Sequence, residues 1–333
     1  MLGIKSFKKK LKSLISRIYF LKFNFTNGKK FKSRSPKNLK EFEKVYFIYR
    51  SKYKETASTL MRCFQLQKIL KDEGAISVEL ADEKHINNIN NSICILNKSF
   101  LINAIPREFE VLLLNNNIIC LDYIDSLPKT FQIKYSHALI ASSYKQKIYF
   151  LEKFKDKLIK HIPHNVDPRF NKKYIDNNFL NIGYFGEKDN GLYLDDLSCL
   201  VDCYFINTKK NKNQNWINNI NKYNAHYIIR RIENKKVFKP FLKGFTAAHN
   251  NSNIIAYIND GDSLYYLGID YPYLLKDKSL KNILKMISYM KESYKSKEWY
   301  EGLEIIKNIK YKSSNRFIIN EFKDLIICLK QIA

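Results

Sequence analysis

Short apolar runs alternate with amphipathic stretches along the first half of the chain. A helix-type pattern follows the first run and ends at Gly74, where a left-handed residue costs little. Strands that alternate with helices in this way form a parallel, doubly wound sheet. The strands predicted for this half are Glu43–Arg50, Ala75–Leu80, Ser92–Leu96, Asn117–Tyr123, Ala138–Ala141 and Lys157–Ile162.

The alternation restarts after a polar stretch, NKKYIDNN, that follows Phe170 and that we interpret as a domain boundary. From Ser279 onward the pattern is helical. The sequence therefore predicts an α/β protein with Rossmann-like, doubly wound domains at residues 41–172 and 173–333, the second carrying C-terminal helices. The strands predicted for the second domain are Leu180–Phe185, Cys203–Asn207, Tyr227–Ile229 and Asn253–Ile258.

The positive charge is concentrated at the N-terminus. Residues 1–40 hold 13 Lys or Arg and no Asp or Glu, which is half of the net charge of +26. Apolar residues recur at helical spacing from Ile4 to Ile18 with lysines between them, which indicates an amphipathic helix on an anionic membrane surface. A nucleic-acid arm or a helix packed on its own domain are the alternatives. The aromatic run Tyr19–Phe25 favours lipid, so residues 1–25 are the predicted membrane contact and 26–40 a linker.

Cysteine usage and hydropathy predict the compartment. The six cysteines match no zinc or disulfide spacing, which favours buried free thiols in a reducing compartment. No run of 18 apolar residues and no secretory signal is present in the sequence. We therefore expect a cytoplasmic protein that is peripheral at the inner face of the cell membrane.

Cations cluster where one predicted strand ends and the next helix begins. Arg230 and Arg231 follow the strand Tyr227–Ile229, and Lys239 and Lys243 flank the helix start. The carboxyl edge of an open α/β sheet is where ligands bind, and a helix N-terminus favours phosphate. Solvated lysines on an ordinary surface helix are the alternative.

Several segments, in this order, resemble the GT-B class of nucleotide-sugar glycosyltransferases. The resemblance covers roughly residues 44–300, and it implies that the two domains face each other across a cleft. An EGFG…E carboxylate pair, common in many retaining members, is missing from the sequence, which leaves inverting and retaining chemistry both open. The segments are LDYIDS (121–126), LIASSYKQ (139–146), KHIPHNVDPRF (160–170), IGYFG (182–186), KPFLKGFTAAHNNSNIIAYIND (239–260) and YYLGIDYPY (265–273).

Glycosyl transfer from such a donor builds negative charge on the leaving diphosphate, which requires fixed cations or backbone amides. We predict that cations bind the diphosphate, that glycines let the backbone approach the nucleotide, and that Asp262 contacts sugar hydroxyls or caps a helix. No metal-ligand spacing is apparent, and the resemblance implies metal-independent binding with no cofactor. The predicted donor-binding residues are Arg230, Lys239 and Lys243, with Arg231 as the alternate, together with Gly183, Gly186 and Asp262.

Three residues are candidates for proton transfer or acceptor contact. Asp122 and Asp125 end a strand that would face the cleft, although an Asp after a strand is commonly a cap or turn former. His164 has a suitable pKa for proton transfer, and a structural role near the hinge is the alternative.

The expected function is therefore transfer of a sugar from a nucleotide-sugar donor to a surface glycan, such as capsule or lipopolysaccharide, or to a lipid-linked glycan. A non-catalytic binding module of the same fold is one alternative. A basic nucleic-acid-binding protein is the other, but half of the charge lies outside both α/β domains and no nucleic-acid-binding motif is present.

Overall fold

The computed structural model describes residues 44–74, 76–170, 178–206, 215–231 and 238–332. The predicted amphipathic segment at residues 1–40 lies outside these ranges and stays a prediction. Within them the chain forms two parallel sheets with helices packed on their faces, as the alternating pattern predicted.

The first sheet has the strand order β2-β1-β3-β4-β5-β6, and all neighbouring strands are parallel. Strands β3, β4 and β5 are buried along their whole length, which is why their sequences are nearly continuous apolar runs. The bounds are β1 Lys44–Tyr49, β2 Ser77–Asp82, β3 Ser92–Asn97, β4 Ile118–Asp122, β5 Ala138–Ala141 and β6 Leu158–His161.

One long helix, α1, follows β1 and has an irregular middle. It consists of the α-helical segments Ala57–Thr59 and Leu66–Asp72, joined by the π-helical segment Leu60–Gln65. The other helices of this half are α2 Lys98–Ile102, α3 Pro106–Leu114, α4 Thr130–Ile133 and α5 Tyr144–Lys153, with 3₁₀ turns at Ser51–Tyr53 and Ile86–Asn88.

The second sheet repeats the arrangement with the order β8-β7-β9-β10-β11, again with parallel neighbours. Its strands are β7 Ile182–Gly186, β8 Asp202–Phe205, β9 Ala225–Tyr227, β10 Asn253–Tyr257 and β11 Leu274–Leu275. Its helices are α6 Asn215–Asn219, α7 Leu242–His249, α8 Ser263–Leu267, α9 Leu280–Glu292 and α10 Lys297–Lys312, with 3₁₀ turns at Lys188–Asn190 and Ile220–Lys222.

The last helix, α11 (Asn315–Ile332), returns to the first sheet. Phe322 packs edge-on against Phe47 of β1 with ring centroids 5.7 Å apart, and Ile318 and Leu325 are buried in the same core. Helices α9 and α10 instead complete the core of the second sheet, for example through Ile283. The C-terminal helices that the sequence grouped with the second domain therefore divide between the two cores.

No helix within the described ranges is long and apolar enough to cross a membrane.

Candidate donor-binding cleft

A cavity of about 460 Å³ lies between the two halves of the molecule. On the second half it is bordered by Gly186 and Glu187, at the end of β7, and by Ile228 and Arg230, which follow β9. Strands β7 and β9 are neighbours, but the chain continues from β7 to β8 on one side and from β9 to β10 on the other. The cavity therefore sits at the topological switch point of the second sheet, where α/β proteins bind ligands.

Lys243 supplies a buried cation to this wall. Its Nζ atom has no hydrogen-bond partner among the described residues and lies 3.9 Å from the ring centroid of Tyr184. Burial lowers the pKa of Lys243 well below its usual value, and the nearby positive charge of Arg230 adds to the effect. An anionic ligand beside Nζ would give Lys243 a hydrogen-bond acceptor and a favourable charge interaction.

Arg230 and the first residues of α7 border the same part of the cavity wall as Lys243. The backbone N–H of Arg230 donates to the Asp260 carboxylate at 2.7 Å, which fixes the chain where β9 leads into the cavity wall. Helix α7 begins at Leu242, so its first N–H groups have no partners within the helix and its dipole favours an anion there. A small void of about 10 Å³ beside them is lined by Arg230, Lys243 and the buried Ser263, whose hydroxyl has no hydrogen-bond partner among the described residues.

The other end of the second-half wall is aromatic. Phe185 stacks on Tyr204 with centroids 5.3 Å apart, and His226 and Trp216 lie 5.0 Å and 6.5 Å from Phe185. Burial lowers the pKa of His226 to about 3, so its ring is neutral at neutral pH. Phe185, Trp216 and His226 all border the cavity, and their rings are tilted by 41° to 53° relative to Phe185.

The predicted glycines differ in what they do. A Cβ atom at Gly183 would come within 2.8 Å of the Tyr223 ring, so this glycine is required by packing beneath β7. A Cβ atom at Gly186 would lie 3.0 Å from Cε of Lys243, and Gly186 borders the cavity. Of the two, Gly186 is the one that the structure places where a ligand would approach the backbone.

Arg231 and Lys239 are not among the residues that border the cavity in the described part of the chain. Arg231 is exposed. Successive side chains of an extended segment point to opposite faces, so only one of the two neighbouring arginines can face the cavity. Lys239 instead donates to Asp125 of the first half at 2.6 Å, and Lys98 donates to the other oxygen of the same carboxylate. Burial opposes ionisation of Asp125, but Lys239 and Lys98 outweigh it and hold the pKa of this carboxyl below its usual value.

Asp122 forms a buried ion pair outside the cavity lining. Its carboxylate accepts a hydrogen bond from Nε of Arg62 at 2.8 Å, and Arg62 also donates to the carbonyl groups of Ile162 and Pro163. Both partners are almost completely shielded from solvent. This arrangement ties α1 to the ends of β4 and β6, which is a structural role.

His164 is buried as well, and neither ring nitrogen has a hydrogen-bond partner among the described residues. Burial and the charge of Arg62 lower its pKa to about 3. The ring therefore stays neutral and does not border the cavity. The structural alternative considered for His164 is the one that this geometry favours.

Asp262 connects the two halves. Its carboxylate accepts hydrogen bonds from the backbone N–H groups of Tyr144 (2.7 Å) and Lys145 (3.1 Å), the first residues of α5. Burial raises the pKa of Asp262 to about 6, although these two amides and Lys145 act in the opposite direction. The ring of Tyr144 stacks on Tyr265 with centroids 3.8 Å apart beside this contact. Asp262 thus caps a helix, but in the opposite domain.

Several residues that border the cavity could not be predicted as ligand contacts from the sequence. Trp216, His226 and Asn190 lie in stretches whose pattern indicates no ligand contact. Thr246 could have been found, because it follows Lys243 by three residues on α7 and so shares its face.

The first half contributes one carboxylate, one guanidinium group and mainly apolar side chains to the cavity. After β6, Asp167 forms a two-point ion pair with Arg169, with N···O distances of 2.9 Å and 2.6 Å. The rest of this wall comes from α1, through Ala57, Leu60, Met61 and Phe64. Across the described residues, no group of three or more His, Cys, Asp or Glu side chains could hold a metal ion.

No family model and no curated protein sequence matches the chain. Its three-dimensional structure, however, matches solved structures over most of its length. A glycosyltransferase from Rickettsia africae aligns with a TM-score of 0.60 at 10% identity, covering 88% of this chain and 100% of the other. Anabaena HepE (Alr3699) in complex with UDP-glucose aligns with a TM-score of 0.59 at 10% identity, covering 86% and 99%.

The chain has the GT-B fold. The lipopolysaccharide outer core galactosyltransferase WaaB, in its apo form, shares it with a TM-score of 0.56 at 8% identity, covering 86% of this chain and 99% of WaaB. The fold that the motif order implied is therefore confirmed, and the cavity described above is the cleft between the two GT-B domains.

Proposed function

We propose that this GT-B protein is a glycosyltransferase that moves a sugar from a nucleoside diphosphate sugar to a hydroxyl group of an acceptor glycan. The observation that carries the proposal is the pair of partly exposed basic side chains, Arg230 and Lys243, beside a helix N-terminus on the donor-side wall of the cleft. A diphosphate would place negative charge next to these two basic side chains and the helix N-terminus.

The aromatic surface next to these cations suits the base of the nucleotide. Phe185 and Trp216 offer flat faces on which a base can stack. That HepE was solved with UDP-glucose supports a uridine donor for the same fold. The cavity would thus hold the base at its aromatic end and the diphosphate at Arg230 and Lys243.

The cleft also has the groups that the reaction requires. As the bond between the anomeric carbon and the phosphate oxygen breaks, negative charge grows on the diphosphate and is stabilised by Arg230, Lys243 and the dipole of α7. The acceptor hydroxyl attacks the anomeric carbon and loses a proton. Two carboxylates border the cavity for that task among the described residues, Asp167 on the first half and Glu187 on the second. Side-chain cations supply the positive charge, so the proposal includes donor binding without an added metal ion.

The finer part of the proposal concerns the acceptor and the location. The description of WaaB as a lipopolysaccharide outer core galactosyltransferase supports a surface-glycan acceptor. The basic, amphipathic pattern of residues 1–25 supports attachment to the inner face of the cell membrane. Deleting residues 1–25 should release the protein from vesicles that contain anionic lipid, and a sedimentation assay that finds unchanged binding would contradict the attachment.

Calorimetric titration with UDP and UDP-glucose, with and without magnesium, tests the donor site. Wild-type protein should bind without magnesium, and Lys243→Met should weaken binding more than tenfold, because a hydrogen bond to a charged group contributes about 1.5–3 kcal/mol. Lys276→Met, at an exposed position outside the cavity, is the matched control. Absence of nucleotide binding by folded protein would overturn the proposal, and binding without sugar transfer to any glycan would favour a non-catalytic module.

A further inference from the structure

The acceptor side of the cleft has a different chemical character from the donor side. On α1, the residues that border the cavity are Ala57, Leu60, Met61, Phe64 and Gln65. Four of these five side chains are apolar, and all five are partly exposed, although Phe64 also packs against the core of the first sheet.

The π-helical segment of α1 explains how these side chains reach the cleft. Arg62 and Cys63 point into the protein, where Arg62 pairs with Asp122 and Cys63 joins the core of the first sheet. Their neighbours on either side, Leu60 with Met61 and Phe64 with Gln65, are therefore turned toward the cavity. Such π-helical turns occur frequently at functional sites, and this one presents an apolar face.

A purely hydroxylated acceptor does not match this face. A hydroxyl group buried without a hydrogen-bond partner is unfavourable, and Leu60, Met61 and Phe64 offer none. The polar groups of the first-half wall are Gln65 and the Asp167–Arg169 ion pair, which can receive the reacting hydroxyl but give further hydroxyls at Leu60, Met61 and Phe64 no hydrogen-bond partner. Met61 in particular can adapt to an apolar group of irregular shape.

We infer that the acceptor carries an apolar alkyl or prenyl group that packs on Ala57, Leu60, Met61 and Phe64 while its sugar hydroxyl faces the donor. The inference rests on the proposed function, because it assigns the donor to the opposite wall. Lys54, whose Nζ atom lies 5.8 Å from the centroid of the Phe64 ring, places a cation next to the apolar face. A lipid-linked glycan, with its hydrocarbon next to an anionic linkage, has this combination of groups.

Binding of methyl, butyl and octyl glucosides to the UDP-loaded protein tests the inference, at concentrations below micelle formation. Affinity should rise with chain length by up to about fourfold for each methylene that becomes buried. Met61→Gln and Leu60→Gln should each weaken octyl glucoside binding at least fivefold and change UDP affinity less than twofold. Lys68→Gln, on the exposed face of the same helix, should change neither. Urea unfolding checks that Met61→Gln and Leu60→Gln are folded. If one of them is not, the other still tests the inference.

The outcomes separate this inference from the proposed function. Equal affinity for the three glucosides on UDP-loaded protein would overturn the inference and leave the donor site standing. Competition between octyl glucoside and UDP would also overturn it, because the apolar wall would then belong to the donor. If wild-type protein binds no UDP, the proposed function fails. The dependence of glucoside affinity on alkyl chain length, measured on the protein without UDP, would still test whether the apolar face of α1 binds an alkyl group.

Discussion

The Nζ atom of Lys243 lies 3.9 Å from the centroid of the Tyr184 ring and has no hydrogen-bond partner among the described residues. The ring attracts a cation, but burial and Arg230 still lower the pKa of Lys243. A bound diphosphate would reverse this shift by placing negative charge beside Nζ.

Donor binding should therefore take up protons. The pKa of Lys243 is lowered in the free protein and should rise in the complex with UDP. The affinity for UDP should therefore fall as the pH rises above the pKa that Lys243 has in the free protein. Calorimetric titration with UDP in two buffers of equal pH and different ionisation enthalpy measures the number of protons taken up. Lys243→Met should abolish the dependence on buffer, whereas a wild-type enthalpy that is the same in both buffers would contradict the assignment.

The contact between Asp125 and Lys239 should matter more for joining the domains than for the donor. Lys239→Met should change the Kd for UDP less than twofold, in contrast to Lys243→Met, because Lys239 is already engaged at 2.6 Å. Since Lys239 is 43% exposed, the pair should contribute no more than about 1 kcal/mol to the free energy of unfolding. A double-mutant cycle with Asp125→Asn measures that coupling. A tenfold loss of UDP affinity in Lys239→Met would instead restore Lys239 as a phosphate ligand.

The buried pair of Arg62 and Asp122 should be required for stability. Arg62→Met should lower the free energy of unfolding by roughly 3–5 kcal/mol, because it leaves the Asp122 carboxylate buried without a partner. Adding Asp122→Leu to that variant should recover part of the loss, which urea unfolding can measure. If Asp122→Asn abolished sugar transfer while stability stayed unchanged, Asp122 would be a catalytic group as the sequence suggested.

Buried histidines should make the protein sensitive to mild acid. Burial lowers the pKa values of His161, His164 and His226 to about 3, whereas the unfolded chain takes up protons near the usual value of 6.5. The unfolded state therefore binds more protons as the pH falls from 6.5 toward 3, and stability falls with it. Each histidine should cost about 2 kcal/mol at pH 5 relative to pH 7. His164→Leu should reduce the difference between unfolding free energies at these two pH values by that amount, and an unchanged difference would show that His164 is not buried as a neutral ring.

The sequence predicted the strands well because each is a short apolar run with clear ends. The ten strands predicted are present with shifts of about two residues, and β11, with its two residues Leu274–Leu275, is too short to leave a pattern. The cationic region at Arg230 and Lys243 was also predictable, since a strand end followed by a helix start fixes where both side chains lie.

Other parts of the site depend on contacts between distant segments. Asp122 resembled a cleft carboxylate until Arg62, 60 residues earlier, was found to donate to it. The role of Asp262 depends in the same way on Tyr144, 118 residues earlier. The apolar face of α1 was hidden because Leu60 and Met61 fit the periodicity of an ordinary core helix. Hydrophobic periodicity reports burial but not what covers a side chain.

The position of α11 has a consequence for how the protein is made. Phe322 and its neighbours complete the core beneath Phe47, so the first sheet lacks one of its packing layers until residues 315–332 have left the ribosome. The second sheet, closed by α9 and α10, can assemble earlier in synthesis although it is encoded later than β1. Loss of a few turns of α11 would therefore damage the sheet that contains β1, although β1 is synthesised more than 260 residues earlier.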